Sequence, residues 1–125
     1  MQSNAVVLID VRWLNTQQAV VDLHGDLRMA AVASLRKRLL QLARKNPRIL
    51  VLNLATVQTI DTAGIAMLVE VFRILQTRGG RLILAGLHNQ VLKMVQLTHL
   101  DKVMDMCDSV EAALTSDCRG QDRSS

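Results

Sequence analysis

The chain has 125 residues, half of them hydrophobic, and a formal net charge of +4. That length makes one domain with a real core, and a single Trp and a single Phe leave that core aliphatic. So few aromatic rings argue against binding of single-stranded nucleic acid, and the apolar runs are too short to cross a bilayer.

The first predicted strand covers residues 5–9 and runs on through Val11 toward Trp13. A turn at Asn15-Thr16-Gln17 leads to a second strand over residues 19–23, and the short connection makes the pair an antiparallel hairpin. Ala31, Leu35, Leu39 and Leu42 recur at helical spacing and predict a helix over residues 29–44 with one buried stripe. Asn46-Pro47 ends it, because a residue before proline avoids the helical region. Residues 49–54 are almost continuously apolar, as expected of a parallel strand buried on both faces.

A long apolar helix is predicted over residues 63–78, stopped by Gly79-Gly80. A strand over 81–85, a helix over 89–97, a short strand over 103–106 and a helix over 108–114 follow. Residues 116–125 are polar and aperiodic and are expected to be a disordered tail, leaving residues 1–115 as the domain. The predicted fold is therefore α/β, with a mainly parallel sheet of four to five strands, an antiparallel N-terminal strand and about four helices. In such sheets strand-to-helix loops gather at one edge, so the loops over residues 25–28 and 56–62 are expected to be neighbours.

Thr62 carries a lone hydroxyl where the strand–loop–helix transition places a helix N-terminus. Unpaired N–H groups and the positive end of the helix dipole stabilise an anion there. An N-cap role for Thr62 is the simpler account, and a phosphoacceptor role the sharper one. Spacing alone leaves two accounts of Gly64 open, because glycine costs about 1 kcal/mol inside a helix. Either it lets the helix pack tightly on its own sheet, or Ala63 and Gly64 bare the backbone for another molecule.

Beyond the stripe Ile65, Leu68, Phe72 and Leu75, this helix carries a second apolar stripe of Met67, Val71 and Ile74. Either a neighbouring helix covers the second stripe or part of it faces a partner. In the second case Ile65, Met67 and Val71 are the expected docking residues, with Met67 nearest Thr62. The cations Arg36, Lys37, Arg38, Arg44, Lys45 and Arg48 fall on a solvated helix and its end. Attraction to an acidic protein or an anionic membrane is a lesser reading of them.

No enzyme is expected. His24, His88 and His99 lack partners at metal-ligand or triad spacing, and no phosphate-binding loop, zinc pattern or nucleophile elbow occurs. No cofactor and no metal are therefore expected. Cys107 and Cys118 have neither metal nor redox spacing, so a disulfide framework is not expected. No signal-peptide pattern opens the chain, and a reducing cytoplasm fits.

Asp61-Thr62-Ala63-Gly64-Ile65 resembles the Asp-Ser-Ser-Gly-Leu signature of the STAS domain, the fold of bacterial anti-sigma-factor antagonists. Val51-Leu52-Asn53-Leu54 resembles the strand before that signature, Gly25-Asp26-Leu27 its earlier Gly-x-Leu loop, and Gly79 to Gly86 its next turn and strand. The similarity runs from about Val6 to Leu114 in one register. It implies a strand–helix superhelix and a non-catalytic regulator, phosphorylated at the Thr62 position. It implies as partners an anti-sigma factor with Ser/Thr kinase activity and a PP2C-type phosphatase. Asp61, Ala63, Gly64, Asp26 and Arg28 become the surroundings of the phosphate. Two positions depart from the pattern: the acceptor is Thr rather than the commoner Ser, and Arg28 stands where antagonists usually carry Asp. An accessory subunit of a lipid-type ABC transporter, docking on its ATPase, or a scaffold subunit of a STAS assembly are the rival expectations. Homo-oligomerisation stays open.

Overall fold

A computed structural model describes residues 8–115. Residues 1–7, part of the first predicted strand among them, and the predicted tail with Cys118 lie outside the described residues. The chain order is β1 (Leu8–Trp13), β2 (Gln18–His24), α1 (Met29–Ala43), β3 (Ile49–Thr56) and α2 (Thr62–Thr77). It continues with β4 (Arg81–Ala85), α3 (Asn89–Leu97), a 3-10 turn (Leu100–Lys102), β5 (Asp105–Cys107) and α4 (Val110–Leu114). The five strands lie in sequence order, β1 antiparallel to β2 and the others parallel.

Side chains alternate across a strand, and here both faces of the central strands are apolar. Ala19, Val21 and Leu23, Leu50, Leu52 and Leu54, and Leu82 and Leu84 point into the main core with α1, α2 and α3. Their alternates Val20, Val51, Ile83 and Ala85 form a second cluster under α4, with Cys107 and Ala113. Because the strand order never reverses, the three longer helices share one face, and there is no crevice of the doubly wound type. Function must therefore be sought in the loops at the sheet edges.

Local chemistry sets the boundaries. Asn46 takes a left-handed conformation (φ 60) and ends α1 ahead of Pro47. Gly79 does the same after α2 with φ 82, open to glycine without strain. Ser109 caps α4 by accepting the N–H of Ala112 at 3.1 Å. Arg36 on α1 forms a two-pronged ion pair with Glu70 on α2. The last strand starts two residues later than its apolar pattern suggests, because Leu100–Lys102 coils into the 3-10 turn and leaves Val103 exposed.

Candidate functional site

The two loops expected to be neighbours are joined by backbone. Leu27 and Ile60 form a parallel bridge, in which the Leu27 N–H donates to Thr59 O at 2.9 Å and the Asp61 N–H donates to Leu27 O at 3.1 Å. This places the starts of α1 and α2 side by side at the C-terminal edge of β2 and β3.

Asp61 then ties both helices together. It is the N-cap of α2, and its Oδ1 accepts the N–H of Gly64 at 3.1 Å. Its Oδ2 accepts the N–H of Met29, the first residue of α1, at 2.8 Å. One carboxylate thus satisfies an orphan donor on each of two helices. Burial pushes the Asp61 carboxyl up, but the N–H groups of Met29, Gly64 and Ala63 and the nearby Arg28 outweigh it and hold the group below the usual carboxylate range. Capping is therefore the work of Asp61 and not of Thr62.

Thr62 is the first residue of α2 and is exposed. Among the described residues its hydroxyl makes no hydrogen bond, so it stands free at the positive end of a sixteen-residue helix. Ala63 beside it is half-buried. Arg28 is exposed and precedes α1 without capping it through its side chain, and Asp26 is exposed in the same loop. Asp61, Thr62 and Ala63 at the start of α2 are thus set beside Asp26 and Arg28 at the start of α1.

Gly64 answers to packing. It is buried, and a Cβ there would fall 2.6 Å from Leu27 O and 2.6 Å from Ile60 Cγ1. Its bareness lets α2 seat on the Leu27–Ile60 bridge, and it offers no backbone to an outside molecule. The expected docking stripe is likewise corrected by burial. Ile65, Met67 and Val71 are at most 8% exposed and belong to the main core. α2 packs against α1 and β4, so both apolar stripes are covered from within the domain. What α2 leaves in solvent is Thr62, Ala66, Arg73, Gln76 and Thr77, of which Thr62, Ala66 and Arg73 share one helical face.

Two contributors escaped the sequence reading. Met29 is 71% exposed at the start of α1, with its N–H held by Asp61. Gln90 on α3 clips the loop before Thr62 from behind: its Oε1 accepts the N–H of Ile60 at 2.9 Å and its Nε2 donates to Ile60 O at 3.0 Å. An exposed Met and a helix-start Gln carry no distinguishing spacing, so only the fold reveals them.

The histidines serve as connectors. His88 Nε2 donates to Ala55 O at 2.8 Å, which leaves Nδ1 to accept from Asn89 at 3.0 Å. Thr56 spends its hydroxyl proton on Leu23 O and so accepts from His24 Nδ1 at 2.8 Å. No cluster of metal-ligating side chains occurs among the described residues.

The STAS domain family model matches residues 13–113. An anti-sigma factor antagonist from Mycobacterium paratuberculosis superposes with TM-score 0.82 at 20% identity, over 93% of this chain and 97% of that one. The anti-sigma factor antagonist SpoIIAA in its unphosphorylated form superposes with TM-score 0.70 at 18% identity, over 88% and 96%. A sulfate transporter family protein from Wolinella succinogenes superposes with TM-score 0.68 at 21% identity, over 78% and 81%. At these identities the likeness is one of fold.

Proposed function

The chain belongs to the STAS domain family, and from that premise we propose that it is an anti-sigma-factor antagonist switched by phosphate on Thr62. The observation that carries this reading is the free, exposed hydroxyl at the start of α2, with the capping duty taken by Asp61. A kinase can reach that oxygen without dismantling a helix cap.

The switch follows from charge. Phosphorylation adds about −1.5 to −2 charges at neutral pH. They arrive beside a carboxylate already held ionised by backbone donors. Arg28, near enough to help lower the Asp61 pKa, is the cation that would pair with the new dianion, in a charge-assisted contact that the usual Asp would oppose. In the unphosphorylated form, the exposed Met29 at the start of α1 and Ala66 one turn after Thr62 would offer a small apolar surface to the anti-sigma factor. A dianion set into that surface must lose hydration, and reversing a bound population takes about 5.5 kcal/mol of differential affinity. The partner is then an anti-sigma factor that is also the Ser/Thr kinase, with a PP2C-type phosphatase restoring the binding form. This role is regulatory, non-catalytic and cytoplasmic.

The test is intact mass after incubation with ATP and cell extract. A gain of about 80 Da that vanishes in Thr62→Ala supports the switch. Arg28→Ala is expected to change phosphate turnover or partner affinity, and loss of neither would remove Arg28 from the mechanism. The transporter-family likeness favours one second reading, an accessory subunit docking on a transport ATPase. Co-purification of such an ATPase without any mass gain would select it. No helix among the described residues is long and apolar enough to cross a membrane.

A further inference from the structure

The edge of the sheet opposite Thr62 carries a second surface. Trp13 ends β1 and pairs with Ala19 at the start of β2, whereas the Thr62 loop lies beyond the other end of β2. Here α1 overhangs the sheet edge and leaves a groove between Val11 and Trp13 on one side and Leu42 on the other. Its volume, about 530 Å³, suits several side chains rather than one inorganic ion. Trp13 is the only Trp of the chain, and it stands 38% exposed at this groove.

The charge of the groove is one-signed. Arg38, Arg44 and Lys45 line it and no acidic residue does. Arg12, Arg36 and Arg81 each face a carboxylate elsewhere, but among the described residues Arg38 and Lys45 have no ion pair. The strand bordering the groove is also open: among the described residues nothing pairs with the outer side of β1. Such an edge presents unpaired N–H and C=O groups at every second residue.

We propose that the β1 edge and this basic groove bind an acidic, extended segment of a partner protein by strand addition. Pairing with β1 supplies main-chain hydrogen bonds. Alternate apolar side chains of the segment then enter the groove between Trp13 and Leu42, and its carboxylates meet Arg38 and Lys45. A second copy of this chain fits poorly, because it would bring its own cations to cations and the chain is already at +4. A flat anionic membrane leaves the concave floor unfilled. This site stands apart from Thr62 and does not rest on the phosphate reading.

Trp13 supplies the assay. The full-length protein is titrated with an end-capped decapeptide of alternating Glu and Val while the Trp emission is recorded. A saturable blue shift is expected, weakening as salt rises from about 0.05 to 0.5 M. The double variant Arg38→Glu/Lys45→Glu, with native circular dichroism, is expected to bind at least tenfold more weakly. The same loss is expected for wild type with the peptide N-methylated at alternate residues, which cannot pair as a strand. No shift up to about 1 mM peptide overturns the proposal. So does equal binding of the N-methylated peptide, or a shift produced by phosphatidylglycerol vesicles or oligothymidylate but not by the peptide.

Discussion

Replacing Gly64 by Ala sets two physical effects of opposite sign against each other. Helix propensity alone favours Ala by about 1 kcal/mol inside a helix. The packing at Gly64 opposes it, since the added methyl would sit 2.6 Å from the backbone oxygen of Leu27 and from Ile60 Cγ1. Neither neighbour yields cheaply. Leu27 O is held by the Asp61 N–H, and Ile60 is β-branched and 1% exposed. The start of α2 must lift from the bridge, at an overpacking cost of about 1–3 kcal/mol. The Asp61 N–H to Leu27 O bond is lost with it, for about 1 kcal/mol more. The net expectation is destabilisation by about 1–3 kcal/mol, a fall in melting temperature of roughly 4–12 °C for a domain of this size. Thermal and urea unfolding followed by circular dichroism measure it, with an unchanged urea m-value marking a true stability effect. A Gly64→Ala variant as stable as wild type, or more stable, would refute the close-packing account.

Asp61→Ala removes a cap from each of two helices and is expected to cost roughly 1–3 kcal/mol in urea unfolding at pH 7. Because the folded-state pKa of Asp61 is depressed, its charge-dependent stabilisation is full above about pH 4 and lost as pH falls through the folded value. The stability gap between wild type and Asp61→Asn should therefore narrow below about pH 4, and a constant gap would count against the charged brace. Gln90→Ala strips both partners from the Ile60 backbone and should cost roughly 1–2 kcal/mol, with at least tenfold faster exchange of the Ile60 amide hydrogen. Thr59 buries a hydroxyl oxygen without a partner, so Thr59→Val should raise stability by about 1 kcal/mol. A loss of stability there would mean that the hydroxyl has a partner after all.

The strands and long helices were legible because their signals are local. Alternating or continuous apolar runs, Asn46-Pro47 and Gly79-Gly80 each act over a few residues. The exposed Thr62 at a helix start was legible for the same reason. What was not legible depends on distance across the fold. Met67 and Val71 read as core only by a small margin over docking surface, and the seating of α2 on α1 and β4 decided for core. Gly64 was ambiguous because its constraint comes from Leu27, far back in the chain. The dual capping by Asp61 and the clip from Gln90 join residues about thirty positions apart, and no spacing rule encodes them.

The Asp61–Met29 contact spans 32 residues of sequence, so the surroundings of Thr62 exist only in the assembled domain. A short synthetic excerpt around Thr62 would keep every letter of the signature and lose its architecture. Any protein that reads this threonine through its surroundings therefore inspects conformation as well as sequence, and an unfolded copy would be silent to it.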